Sequence, residues 1–181
     1  MFLLPRLILL FLSTSFLAYG ADLGTLLASP WLRDAEDKPV LLPDLGRKVL
    51  MLVYADPEAG DQTDRLSEEV KRKNFPKDRF RGLGVANLKD TWKPNSLIRL
   101  MIRRKIEQFH SIILTDPDGT LPKSWNLGNC DDQAVVLVLD AGGVLRFQHR
   151  GTVSAERAAE ITAIIAGLLF DAGKTNPAPG P

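Results

Sequence analysis

Cysteine is almost missing from this chain: Cys130 is the only one in 181 residues. No intramolecular disulfide can form and no cysteine-rich zinc cluster can be assembled, so stability has to come from an apolar core. Histidine is nearly as scarce. His110 and His149 stand far apart, neither has a second metal ligand at the usual spacing, and no serine, histidine and acid are arranged as a nucleophilic triad. Excess charge is lacking too. The 23 basic residues, Arg6 among them, face 22 acidic ones, so electrostatics give no case for a nucleic-acid partner. Residues 1–20 carry Arg6, the apolar run Leu7–Leu12, then Ser13, Thr14 and Ser15, and end in the small residues Ala18 and Gly20. That is the anatomy of a secretory signal peptide cleaved after Gly20, and the run is too short to span a bilayer. An exported chain with no stable membrane span after cleavage is expected, and with no cysteine near the cleavage site a lipid anchor is not.

What remains, about 160 residues, suits one domain with an ordinary core, here residues 21–170, followed by a disordered Pro/Gly-rich tail at 171–181. Residues 22–37 read as irregular, and 38–42 as a short strand. "KVLMLVYA" (48–55) is a continuous apolar run of strand length, as for a strand buried on both faces. Residues 61–73 read as a charged helix with Leu66 and Val70 on one stripe, and 80–88 as another strand. Ile98, Ile102, Ile106 and Phe109 recur at helical spacing over 94–109. Residues 111–121 give strand then turn. In 134–151 two strands flank Asp140-Ala141-Gly142-Gly143, a hairpin loop with glycines for positive φ. Ser154 is the expected N-cap of a helix over 154–170, with Ile161, Ile164, Ile165 and Leu168 as its apolar stripe. The order β–α–β–α–β–β–α predicts an α/β three-layer sandwich: a mixed central sheet, helices on both faces, and a C-terminal β-hairpin plus helix.

Four groups of residues have chemistry worth testing. Asp56, Glu58, Asp61 and Asp64 form an acidic cluster in and after the turn that follows 48–55. Capping carboxylates near a helix N-terminus contribute about 0.3–1 kcal/mol each, and solubility is the plain explanation. The sharper one is a weak Ca²⁺ or Mg²⁺ site, although the spacing matches no calcium loop. No metal and no cofactor is assigned. Cys130 lies in the polar loop "LGNCDDQ", where Asp131 and Asp132 disfavour the thiolate. It reads as an incidental free thiol near the acidic turn, the alternative being a mixed disulfide with a partner. Lys93, Arg99, Arg103, Arg104 and Lys105 give helix 94–109 a basic face, either merely solvated or docking to anionic lipid or an acidic partner. Trp31, Trp92 and Trp125 are core or pocket residues, and His149 a surface one.

The stretch "SWNLGNCDDQAVVLVLDAGGVLRFQHRGTVSAERAAEITAIIAGLL", with a weaker match from "KVLMLVYA" through "RFRGLGVANLKD", resembles the thioredoxin-like superfamily. More closely it is similar to the YtfJ-type family of exported bacterial proteins of poorly defined function. The resemblance implies a thioredoxin-like sandwich in which Asp56, Pro57, Glu58, Ala59, Gly60 and Asp61 form a degenerate active-site turn. Glu58-Ala59-Gly60-Asp61 stands where redox relatives carry Cys-x-x-Cys, and Ala134 stands where they carry a cis-proline. A trans bond is expected there. Disulfide exchange needs a low-pKa thiolate and a resolving thiol, and the turn has neither. The implied protein has no catalytic residues. It is a redox-inactive binding or interaction module of the bacterial periplasm, with a periplasmic protein as partner. The alternatives are a thiol redox partner using Cys130 alone, or a small-ligand or metal binder at the acidic turn.

Overall fold

The valine- and leucine-rich runs at 49–55 and 134–139 lie side by side at the centre of a seven-stranded sheet. The computed structural model describes residues 21–89, 91, 94–109 and 112–175. In chain order the elements are β1 (Leu32–Arg33), β2 (Pro39–Val40), β3 (Val49–Ala55), a 3-10 turn (Pro57–Thr63), α1 (Asp64–Lys73), β4 (Phe80–Asn87) and α2 (Asn95–Phe109). They continue with β5 (Ile113–Asp116), α3 (Thr120–Ser124), β6 (Ala134–Leu139), β7 (Leu145–Arg150) and α4 (Ala155–Thr175). The sheet order is β2-β1-β5-β4-β3-β6-β7. β3, β4 and β5 run parallel, joined by the helical crossovers α1 and α2, while β6 and β7 add the antiparallel hairpin.

Register sorts the side chains onto two faces. Leu50, Leu52, Tyr54, Leu83, Val85, Val135 and Leu137 share one core with Leu121 and Trp125 of the α3 region. Val49, Met51, Val136 and Val138 share the other with Leu66 of α1 and Ile161 and Ile165 of α4. Ile98 and Ile102 of α2 pack on that second face against Ala86 and Ile113. All six residues of β6 are buried, which explains why its sequence does not alternate.

The predicted sandwich is therefore present, with differences at its margins. The segment 22–37 is not wholly irregular: Leu32–Arg33 pairs with both β2 and β5. Residues 24–27 also bond to the hairpin, with Gly24 N–H donating to the Leu145 carbonyl, and Leu145 N–H to that of Thr25. Helix α1 starts at Asp64, because the preceding seven residues wind as a 3-10 turn. A short helix, α3, follows β5 where only a turn is expected. Helix α4 continues to Thr175, so residues 171–175 are helical and not part of a tail.

Side-chain caps explain several boundaries. Ser154 caps α4, its hydroxyl accepting the Arg157 N–H at 3.2 Å. In the hairpin loop only Gly143 has positive φ (85°); Gly142 does not. Asp140 does the remaining work, accepting the N–H groups of Gly142 and Val144 and the Arg146 guanidinium. Burial pushes its carboxyl up, but those donors outweigh burial and hold it below the ordinary value. Trp31 is 64% exposed while Trp125 is buried and donates its indole N–H to the Ala28 carbonyl. His149 is half-buried on β7. Trp92, Lys93, His110 and the expected signal peptide lie outside the described residues.

Candidate functional site

The carboxyl ends of β3, β4 and β5 open at one end of the sheet, where ligands usually meet parallel α/β folds. At the end of β3 the chain leaves in extended conformation at Asp56 (φ −61°, ψ 138°), with Pro57 opening the 3-10 turn. Asp56 Oδ1 accepts the Glu58 N–H at 3.0 Å, so this side chain is the N-cap of the turn. It is only 2% exposed. Burial first, then a hydrogen bond with the Glu58 carboxyl and the negative charges of Glu58 and Asp131, push its pKa up to about 6.

The carboxylate company of Asp56 differs from the sequence pattern. Asp56, Asp131 and Asp132 each place an oxygen within 4.8 Å of the others. Of the four acidic residues expected to cluster, Asp56 alone belongs to this group, with the Glu58 carboxyl hydrogen-bonded beside it. Glu58 is exposed and accepts the Thr91 hydroxyl at 3.2 Å. Asp61 and Asp64 are exposed on the turn and the first turn of α1. Asp131 and Asp132 were legible only as neighbours of Cys130 in a loop expected to approach the turn. Three oxygens at this spacing are what a hard divalent cation would use, completed by water or carbonyls.

Gln62, which sequence reasoning missed, joins the two halves of the site. Its Oε1 accepts the Ala134 N–H at 2.9 Å, its Nε2 donates to the Asp132 carbonyl at 3.1 Å, and its own carbonyl accepts the Val153 N–H at 2.8 Å. No sequence motif marks such a residue; a lone glutamine in a charged helix start looks like solvated surface. Ala134 sits opposite Ala55 in the β3–β6 register, and every peptide bond of the described residues is trans. The Ala134 N–H is thus used to hold the turn, a bond that a proline at this position could not make. Replacing Gln62 with alanine should cost about 1–2 kcal/mol. Amide exchange at Ala134 should accelerate well beyond that of Val136–Val138; uniform protection across β6 in the variant would show that Gln62 holds nothing.

Cys130 is a free thiol turned away from solvent. It is 2% exposed and belongs to the apolar core with Tyr54, Leu121, Trp125 and Val135, its Sγ lying 3.7 Å from the Gly128 carbonyl. A polar stretch of sequence surrounds it, but its side chain turns inward while Asn129, Asp131 and Asp132 stay exposed. The basic face of α2 is also partly committed. Arg99 pairs with Asp37 at 2.6 Å and Arg103 donates to the Ala35 carbonyl at 3.1 Å, so both brace the β1–β2 connection.

Beside this site, Asp116 at the end of β5 is buried. It accepts the N–H groups of Thr120 (2.8 Å) and Leu121 (2.9 Å) and the Tyr54 hydroxyl (3.3 Å). It fixes α3 and the loop that carries Cys130.

A seven-stranded mixed sheet with this crossover order, a capped turn after β3 and a C-terminal hairpin plus helix define a thioredoxin-like fold, and solved structures agree. The pneumococcal exposed lipoprotein thioredoxin Etrx1 from Streptococcus pneumoniae is similar at TM-score 0.58 and 16% identity, covering 77% of this chain and 99% of that one. An uncharacterized thioredoxin-like protein from Porphyromonas gingivalis is similar at TM-score 0.58 and 17% identity, covering 83% and 95%. BsSco, of the Sco family of cytochrome c oxidase assembly proteins, is similar at TM-score 0.57 and 13% identity, covering 83% and 97%. At such identities the likeness shows the fold alone. The chain belongs to the family described as "Bacterial protein of unknown function (YtfJ_HI0045)", whose profile matches residues 46–168. No curated protein matches it. Among the described residues no helix is long and apolar enough to cross a membrane.

Proposed function

We propose that this protein is an exported, redox-inactive thioredoxin-fold module of the bacterial periplasm, binding a partner protein through the loops at the carboxyl end of β3. One observation carries the reading. The turn that would hold the reactive thiol offers Glu58-Ala59-Gly60-Asp61, and the only thiol of the chain is packed in the core. A buried thiol without a resolving partner is poorly placed for disulfide exchange. Glu58, Gly60, Asp61, Asp131 and Asp132 remain exposed at the rim, an acidic surface suited to a basic partner.

The test combines activity with capture. The purified protein should show no reduction of insulin disulfides above background. Tagged protein in a cell-envelope extract should retain a partner that survives reductant and Cys130→Ser, and Glu58→Lys with Asp61→Lys should reduce that retention about tenfold or more, as expected of charge reversal at a contact. A complex released by reductant and absent in Cys130→Ser would instead establish the thiol-linked alternative.

The proximity of Asp56, Asp131 and Asp132 favours a second reading, a divalent cation at the same rim. Millimolar calcium should then raise the melting temperature of the wild type but not of Asp131→Asn with Asp132→Asn. No rise in the wild type would remove it.

A further inference from the structure

The structure holds a cavity of about 260 Å³, lined by Lys89 (after β4), Gly119, Pro122, Lys123, Asn126, Gly128, Asn129 and Cys130. Two exposed lysines and two exposed asparagines thus share its wall with the buried Cys130, and no acidic residue is among the described lining. Its charge is the opposite of that of the Asp56 cluster.

Gly119 is buried with φ +61°, and a Cβ there would fall 2.7 Å from Lys89 Cδ. The glycine thus leaves room for the Lys89 stem in its present position. Lys123 is positioned independently: its Nζ donates to the Asp118 carbonyl at 2.8 Å, leaving further ammonium protons for a ligand. Gly128 (φ 71°) and Asn126 (φ 50°) turn the chain around the mouth in left-handed conformation. The volume lies just below the range for drug-sized ligands, which limits an occupant to a small molecule.

We propose that this cavity binds a small oxyanion, a phosphate or short carboxylate, held by Lys123 and Lys89 with the carboxamides of Asn126 and Asn129. Its occupant closes the route from solvent to Cys130. The inference does not depend on the protein-partner reading, because it rests on different residues and the opposite charge.

The lone thiol makes the test direct. Iodoacetamide forms a carbon–sulfur bond at Cys130 as iodide leaves and the thiol proton passes to solvent, and no other residue competes as a thiol. Inorganic phosphate is the probe, with sodium chloride at matched ionic strength as control. When phosphate exceeds its dissociation constant about tenfold, the open fraction and the alkylation rate should fall about tenfold, and the melting temperature should rise. Lys123→Gln with Lys89→Gln should abolish both effects, whereas Lys123→Arg should keep them, and circular dichroism identifies any variant that has lost the fold. Equal alkylation rates in phosphate and chloride would overturn the proposal, as would protection that persists undiminished in the double glutamine variant.

Discussion

Asp116→Ala should destabilise the protein by about 3–5 kcal/mol, because a buried donor left without its acceptor costs roughly 1–3 kcal/mol. Two backbone N–H groups, of Thr120 and Leu121, and the Tyr54 hydroxyl lose their common acceptor together. Leu121 is fully buried, so water cannot take over there without loosening α3. Tyr54→Phe removes one donor and leaves the carboxylate its two amides, so its effect should stay near 1 kcal/mol. Asp116→Asn, with one acceptor oxygen instead of two, should fall between them. Urea unfolding of the three variants at neutral pH decides the matter. If Asp116→Ala lies within about 1 kcal/mol of the wild type, the carboxylate is not the anchor of α3.

Asp56→Asn should act in the opposite direction and only above acid pH. In the folded protein the Asp56 pKa is raised from 3.8 to about 6. The folded state therefore binds that proton more tightly than the unfolded chain. Its contribution to stability is complete below the unfolded pKa and is lost as pH rises through the folded one. At pH 7.5 the wild type thus carries a deficit of about 2–3 kcal/mol from ionising this carboxyl among Glu58 and Asp131. Asparagine caps a turn about as well as aspartate and carries no charge. The variant should therefore be more stable than the wild type at pH 7.5 and equal to it near pH 3.5. A stability difference that is the same at both pH values would mean that capping, not charge, governs the position. A carboxylate kept at such cost at the ligand end of the sheet is the kind of trade a binding site makes, and under the cation reading calcium should erase the wild-type deficit.

The sequence carried the scaffold because its signals were local and redundant. The apolar runs of β3 and β6, the isoleucine stripe of α2 and the Ser154 cap each specify an element without reference to distant residues. β1 escaped because two residues are too few to show a period, and its pairing with β5 spans most of the domain. The end of α4 escaped because Asp171-Ala172-Gly173-Lys174-Thr175 carries a glycine and no apolar period in its sequence, yet the helix continues to Thr175. At the site, the absence of a thiol from the turn after β3 was plain from residue identity alone. The identity of the real carboxylate group was not, since it depends on how the loop at Asp131 and Asp132 folds back over β3. Cys130 misled for a related reason: polar neighbours in sequence say little about the direction of one side chain in a loop.

The segment bonded through Gly24, Thr25 and Leu27 to the hairpin has a consequence for self-recognition. A sheet of seven strands has two free borders, each a template for another copy of the chain. Here one border is β2, two residues long and carrying Pro39. The other is β7, whose first residue is already capped by the incoming segment. What stays open there carries Arg146 and Arg150, so two copies aligned along it would bring like charges together. Each border thus carries a feature that disfavours pairing with a second copy of the chain.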